Sequence, residues 1–297
     1  MREIKGGVAG AGVFGGYHAK KFAELEGVSL TAVYDLDLAR AQALAAPLDA
    51  YATDDLDAFL KLVDVVTVTA PAVAHAAIAA KALAAGKHVY VEKPLAVAVE
   101  DGRALVAAAK AAGVVLACGH QERVVSAAMG LLELPERPTR IEAVRRGTPS
   151  ERNRDVSCAP DLMIHDLDLA LALGGRFSAV QAEGDFDSLT AEVVFESGMT
   201  GRFEASRAAD ERERTMWVVF PSGEVEIDFL APSFRNTTPF KLDPGFAQTA
   251  AGRDPLGTNV AGFLAAVRGE TARPPVTGDE GLIALELSLA VERAAGL

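Results

Sequence analysis

Cysteine is scarce: the 297-residue chain holds 2, Cys118 and Cys158, and neither belongs to a Cys-x-x-Cys pair. That excludes a disulfide scaffold and fits a reducing compartment. No clustered Cys/His set has zinc-site spacing, so no metal is expected. Aromatic residues are few, at 6% with 1 Trp, and Phe177 and Trp217 are read as packing residues. Positive charge is in deficit, with 29 Lys and Arg against 41 Asp and Glu and a formal net charge of −12. Broad nucleic-acid binding needs cationic surface, so no nucleic-acid partner is expected, although a local basic pocket stays open. Long apolar runs are missing too. Asp64, His75 and Lys81 interrupt the most hydrophobic region, which leaves no span of about 18 residues for a membrane helix. The opening Met1-Arg2-Glu3-Ile4-Lys5 is charged and runs into an apolar strand, so no signal peptide is expected. Together with the cysteine usage this points to a cytoplasmic protein.

What is present is a chain that is 50% hydrophobic and long enough for two domains, organised around Val8-Ala9-Gly10-Ala11-Gly12-Val13-Phe14-Gly15. Gly10, Gly12 and Gly15 spell G-x-G-x-x-G between an apolar strand, Ile4 to Ala9, and a helix-like run, Phe14 to Leu25. The first glycine allows the tight turn and the second lets backbone approach a pyrophosphate. The third lets the helix pack close, with its N-terminus facing the phosphates. Asp35, twenty residues after Gly15, closes a second strand, Val28 to Tyr34. A carboxylate there can bond the ribose hydroxyls of NAD and repels the 2′-phosphate of NADP.

Downstream, strands and helices alternate. Asp37 caps a helix to about Ala46, and Asp49 to Ala52 is a short strand. Thr53-Asp54-Asp55 caps a helix through Leu60, and Val63 to Thr69 is a β-branched run suited to a strand buried on both faces. Helices follow at Ala72 to Ala85 and Val99 to Ala112, with strands at His88 to Val91 and Val114 to Cys118. The pattern predicts an α/β fold: an N-terminal Rossmann domain with a doubly wound parallel sheet over 1–121. Residues 122–297 form the second, α+β domain. It begins with a helix, Val124 to Leu134, and has about six strands in an open, mostly antiparallel sheet. Those strands are Arg140 to Arg146, Phe177 to Glu183, Thr190 to Phe195, Met199 to Ala205, Thr215 to Phe220 and Gly223 to Phe229. Along Arg140 to Arg146, Ile141, Ala143 and Val144 are set against Arg140, Glu142 and Arg145. A loop through Asp254 and two helices, Leu256 to Arg268 and Asp279 to Ala294, close the chain.

Ligands of such a sheet lie beyond the carboxyl ends of its strands. Candidate cofactor contacts are therefore Gly10, Gly12, Val13, Phe14, Gly15, Asp35, Ala70, Pro71, His75 and Glu92. Pro94 biases Lys93 towards extended backbone and holds it at a defined angle. Spacing alone leaves Lys93 open between a solvated turn lysine and a functional amine, and His75 between a packing and a working histidine. The same rule marks His120 and Arg123 at the end of the sixth strand. In the second domain Arg145, Arg146, Arg152 and Arg154 form the densest positive cluster, either a solvated loop or a phosphate grip. Asp161 opens a helix to Leu173 on which His165 is four residues on and Asp168 three further. Asp161 and His165 share a face, either as a surface ion pair or as a carboxylate and imidazole built for proton transfer.

Four features in this order resemble the glucose-fructose oxidoreductase/inositol dehydrogenase (Gfo/Idh/MocA) family. They are the glycine turn with His18 beyond it, Ala70-Pro71 with His75, Gly86-Lys87-His88-Val89, and Glu92-Lys93-Pro94. The Asp161-x-x-x-His165-x-x-Asp168 pattern agrees. The resemblance implies an NAD-dependent oxidoreductase with Lys93, Asp161 and His165 as its catalytic set and a small-molecule substrate. It also implies a homodimer or homotetramer formed through the second domain's sheet. Ala70 departs from a more usual Thr. Gly119-His120-Gln121-Glu122-Arg123 and Arg152-Asn153-Arg154-Asp155 leading into Asp161 are similar to the UDP-N-acetylglucosamine 3-dehydrogenase branch. That likeness implies substrate contacts from His120, Arg123, Arg152 and Arg154 beside the catalytic three. Val124-Val125-Ser126 and Ala159-Pro160 depart from that branch, which keeps free sugars and cyclic polyols as other substrates. The reading from another class is a dinucleotide-binding regulator without turnover, and such proteins usually lack the lysine or the histidine.

Overall fold

A computed structural model describes residues 3–149 and 155–297 and divides the chain into two compact units. The first is Met1–Gly119 with Leu256–Leu282, and the second is His120–Pro255 with Ile283–Leu297.

In the first unit β1 (Ile4–Ala9), β2 (Val28–Tyr34), β3 (Tyr51–Thr53), β4 (Val65–Val68), β5 (His88–Val91) and β6 (Leu116–Cys118) form a parallel sheet. Among the described residues it has six strands, in the order β3-β2-β1-β4-β5-β6. All of β4 is buried, as a β-branched run between two helical layers should be. The crossovers are α1 (Val13–Glu24), α2 (Leu38–Ala45), α3 (Leu56–Leu62), α4 (Ala72–Ala84) and α5 (Val99–Ala112). Asp37 and Asp55 cap α2 and α3 by accepting from first-turn amides, at 3.0 Å from Ala39 and 2.8 Å from Asp57; such caps stabilise by about 1 kcal/mol each. Phe59, Leu83 and Leu105 fill one face of the sheet, and Phe22, Ala19 and Ala41 fill the other. The strand order reverses between β1 and β4, the place where open α/β sheets take ligands.

A contiguous division at 121/122 misses one return of the chain. Residues 256–282 rejoin the first unit, where Leu256, Val260, Phe263 and Leu264 complete the core beside Phe22. The Phe263 ring meets Tyr90 edge-on at 5.8 Å. The sequence marks a helix from Leu256 to Arg268, but a helix's apolar residues do not say which surface they will cover.

The second unit opens with α6 (Glu122–Met129), and β7 (Arg140–Arg146) follows. The expected helix to Leu134 stops earlier because Gly130 takes the left-handed conformation at φ 86°. Next comes a π-helical turn, Ala159–Met163, which runs into α7 (Ile164–Gly174). The strands are β8 (Phe177–Gly184), β9 (Ser188–Phe195), β10 (Thr200–Ser206), β11 (Glu213–Phe220), β12 (Gly223–Asp228) and β13 (Ser233–Asn236). Among the described residues the sheet has seven strands, in the order β13-β12-β11-β7-β10-β9-β8. Only the β7–β10 pair is parallel. β13 lies where a loop was expected, since an edge strand of four residues with one half-buried apolar side chain, Phe234, gives no alternation to read. In β7 the buried face is Ile141, Ala143 and Arg145, so Val144 and Arg145 exchange the sides that the residue pattern suggests. The core joins that sheet to Met163, Leu167 and Ala170 and to Leu287 and Val291. Short α8 (Ala250–Arg253), α9 (Pro255–Val267) and α10 (Gly278–Ala294) complete the chain.

Candidate active site

The glycine turn follows β1. Gly10 has φ 111°, and a Cβ there would lie 2.4 Å from the Ala70 nitrogen. A Cβ on Gly15 would fall 1.9 Å from the Gly10 carbonyl oxygen, so both positions exclude side chains. Thr69 Oγ1 donates to that carbonyl at 2.8 Å and pins the turn to the end of β4. Gly12 is different: a Cβ would meet nothing within 4 Å. It is the N-cap of α1, whose first amides receive no side-chain cap. Val13 in that first turn is 57% exposed, and the ring of the next residue, Phe14, stands edge-on to Tyr17. An open helix N-terminus of this kind is suited to a pyrophosphate. Asp35, just past β2, accepts from Ala11 N through Oδ2 at 2.6 Å and from Asp37 N through Oδ1 at 2.9 Å. Each carboxylate oxygen has a second lone pair that a ribose hydroxyl can use. The turn, the cradle at Gly12 and this acceptor set fit a nicotinamide dinucleotide.

Three further candidates surround the Lys93-Pro94 turn, whose peptide bond is cis. His75, on α4 after Ala70-Pro71, is buried with Nδ1 2.7 Å from the Pro94 carbonyl and Nε2 2.8 Å from the Ala70 carbonyl. It ties the end of β4 to the turn after β5. Burial lowers its pKa, against the pull of the two carbonyls and of Glu92. Glu92 points into the first unit, where His18 Nε2 donates to its Oε1 at 2.7 Å. Burial raises the Glu92 pKa, but the His18 hydrogen bond and the charges of His18, Lys93 and His75 outweigh it and leave the carboxyl below its ordinary value. Gly119 makes room for this anion, since a Cβ there would come 2.8 Å from Glu92 Oε2. Two buried anchors, His75 and Glu92, thus hold the backbone on either side of half-buried Lys93.

The second unit assembles a cluster from α6, β7 and α7. His165 Nδ1 lies 2.7 Å from Glu122 Oε2. Glu122 Oε1 is 3.0 Å from Arg145 Nη1, and Arg145 donates to Asp166 from Nε at 2.8 Å and from Nη2 at 2.9 Å. The neighbour of Glu122, Arg123, makes a second fork to Asp168, Nε to Oδ2 at 2.7 Å and Nη2 to Oδ1 at 2.9 Å. Two adjacent residues of α6 therefore staple it to α7. Burial raises the Glu122 pKa, but the charges of His165 and Arg145 hold it well below the usual carboxylate range. Burial opposes the Arg145 charge, and Asp166 and Glu122 more than offset it and raise its pKa. His120 is fully buried with its ring edge-on to His165 at 6.3 Å, and burial lowers its pKa. Asp161 sits on the π-helical turn, and its Oδ2 is 3.6 Å from Arg207 Nη1. Arg207 itself donates to Asp187 at 2.6 Å.

This geometry changes part of the sequence reading. A carboxylate at the His165 imidazole comes from Glu122, which spacing along one helix could not find. Asp161 lies on the π-helical turn, which the regular helical period does not anticipate. Arg145 and Arg146 leave the phosphate-grip cluster, because Arg145 is buried among carboxylates and Arg146 pairs with Glu204 at 2.9 Å and Glu213 at 3.0 Å. Arg152 and Arg154 lie outside the described residues. Thr69, His18 and Arg207 join the neighbourhood of the candidate groups. Thr69 was visible only as the end of an apolar run, whereas His18 stood in the motif beyond the glycine turn. Among the described residues no group of three or more His, Cys, Asp or Glu could hold a metal, and no helix is long and apolar enough to cross a membrane.

Among known proteins, residues 4–120 match the GFO_IDH_MocA family, described as an oxidoreductase family with an NAD-binding Rossmann fold. A UDP-N-acetylglucosamine 3-dehydrogenase of Acidithiobacillus ferrooxidans is 34% identical over 282 residues, 90% of each chain. Its solved structure superposes with a TM-score of 0.90 at 32% identity, covering 99% of this chain and 98% of that one. A scyllo-inositol 2-dehydrogenase (NAD(+)) of Bacillus subtilis is 28% identical over 70% of this chain and 68% of its own.

Proposed function

The chain belongs to the Gfo/Idh/MocA oxidoreductase family, and from that premise we propose that it oxidises a secondary alcohol of a nucleotide sugar, with NAD as acceptor. The observation that carries the reading is that one chain pairs an open dinucleotide turn with a histidine whose Nδ1 is engaged by a carboxylate. Lys93, Asp161 and His165 are all present, which disfavours a regulator without turnover.

When bound, the nicotinamide supplies the carbon that takes the hydride. Lys93 donates a hydrogen bond to the reacting oxygen and stabilises its charge as the carbonyl forms. Glu92 and His75 hold that lysine's backbone. His165 accepts the hydroxyl proton through Nε2. The carbinol carbon thus loses a hydride and its oxygen a proton, leaving a ketone. Asp161, braced by Arg207, binds a neighbouring hydroxyl. Asp35 selects NAD, because a 2′-phosphate would meet a like charge; tighter binding of NADP than of NAD would overturn this. Support for a UDP-sugar comes from the named activity of the A. ferrooxidans relative and from the arginine-rich stretch of sequence before Asp161. UDP-N-acetylglucosamine with oxidation at its 3-position is the first candidate, ahead of free sugars and cyclic polyols.

We assign the outer face of the seven-stranded sheet to a second copy of this chain, in a dimer or tetramer. Arg140, Glu142, Glu192 and Arg202 surround Ala179 and Val194 there. A two-fold contact sets one patch against its own copy, so charges of both signs within it can pair across the axis. A monomer in sedimentation would remove that assignment. The substrate reading is tested by titrating UDP calorimetrically into the NAD complex and following NADH formation with UDP-sugars, free sugars and inositols. Heat from UDP and turnover of a UDP-sugar are expected. No heat, with turnover of a free polyol, would overturn the nucleotide-sugar reading.

A further inference from the structure

We propose that Glu122 is a positioning residue for proton transfer: it holds His165 as the Nδ1–H tautomer, with Nε2 as the acceptor, and is itself held by Arg145. The inference rests on the reading of His165 as the proton acceptor. Its basis is the contact of His165 Nδ1 with Glu122 Oε2 at 2.7 Å, made from a different helix 43 residues away.

An ionised carboxylate only accepts hydrogen bonds, so the imidazole nitrogen facing it carries the hydrogen. Glu122 is ionised because its other oxygen faces the Arg145 guanidinium at 3.0 Å and because it lies in the first turn of α6, where the helix dipole favours negative charge. In the neutral ring the lone pair is then on Nε2. When Nε2 takes a proton, the positive charge that spreads over the ring sits directly against the carboxylate. Glu122 therefore orients the ring and raises its basicity.

Arg145 keeps the proton on the imidazole and off the glutamate. Its fork to Asp166 fixes its plane, and Asp166 is the residue next to His165 on α7, so the contacts close a ring through three elements. Among the described residues, His120, from the turn before α6, and Arg214, from β11, also face the pair. Neither supplies a negative charge, and Glu122 is a carboxylate in direct contact with the ring.

The test uses the full chain with NAD bound, labelled with nitrogen-15 in histidine, together with Glu122→Gln. The wild-type His165 signals are expected to be those of the Nδ1–H tautomer, a measurement that requires no variant to fold. In Glu122→Gln the proton affinity of His165 should fall by about tenfold or more, the effect of removing an adjacent opposite charge. The acid limb of kcat should move to lower pH by the same amount, with KM for the alcohol little changed. An Nε2–H tautomer in the wild type, or an unchanged His165 titration in the variant, would overturn the role of Glu122. A shifted titration with an unmoved kcat limb would overturn it differently: the pair would stand, and His165 as proton acceptor would fall.

Discussion

Arg145 occupies a strand position whose side neighbours, Ile141 and Ala143, are core, and its guanidinium is tolerated there because Asp166 and Glu122 meet it. Removing one partner of such a buried pair costs about 3–5 kcal/mol, because the other charge is left unpaired. The cluster is therefore rigid, and it brings Glu122 to His165. Lys93 is a contrasting residue, half-buried on a turn whose flanks are anchored by Glu92 and His75. Lys93→Met should lower kcat by about 10²–10³-fold, the usual effect of losing a donor to a developing oxyanion. NAD affinity, read by fluorescence titration, should stay within a few-fold of wild type. Normal turnover in that variant would remove Lys93 from the chemistry. Lys93 was singled out by its place in Glu-Lys-Pro, a motif of three adjacent residues. Glu122 was not, because nothing in its own neighbourhood states which imidazole it meets.

Elements with a regular period were read well, and elements that break period were not. The buried run of β4 and the Asp-capped helices α2 and α3 follow from residue type over a few positions. The π-helical turn at Ala159–Met163 does not, since it adds a residue to one turn and shifts the phase of the helix after it. Just before it lies the segment with Arg152 and Arg154, whose role rests on sequence alone. With Arg145 and Arg146 committed to carboxylates, these two are the cations of the original cluster assigned to a pyrophosphate. A charge-assisted contact contributes roughly 1.5–3 kcal/mol. Arg152→Ala and Arg154→Ala should each raise KM for a UDP-sugar about tenfold or more. NAD affinity should be unchanged. An unaltered KM would remove both side chains from substrate binding.

Across the whole molecule, each unit buries histidine that stays neutral when folded. Burial lowers the pKa of His75 in the first unit and of His120 in the second below the ordinary 6.5. Below that pH the unfolded chain takes up protons that the folded chain refuses. More protons are then bound in the unfolded state, so stability falls as pH drops through about 6.5 and levels off below the folded pKa values. The slope is at most about 1.4 kcal/mol per pH unit for each histidine. Urea midpoints should decrease between about pH 7 and about pH 5.5 with an unchanged m-value. A flat profile, or one restored by neither His75→Asn nor His120→Asn, would contradict this account.

Composition and local spacing were enough for the parallel sheet, the dinucleotide turn and the aspartate after β2, while the candidate lysine and histidine were singled out by the motifs they share with the family. Each of these depends on backbone geometry or on residue type within a few positions. Tertiary packing decided the rest. It returned residues 256–282 to the first unit, because an apolar stripe does not specify the surface it will cover. It placed Arg145 on the inner face, because a charge can be buried there only when partners from other elements arrive. It gave His165 its carboxylate from α6, across 43 residues, because hydrogen-bond partners are chosen by distance in space and not by distance along the chain.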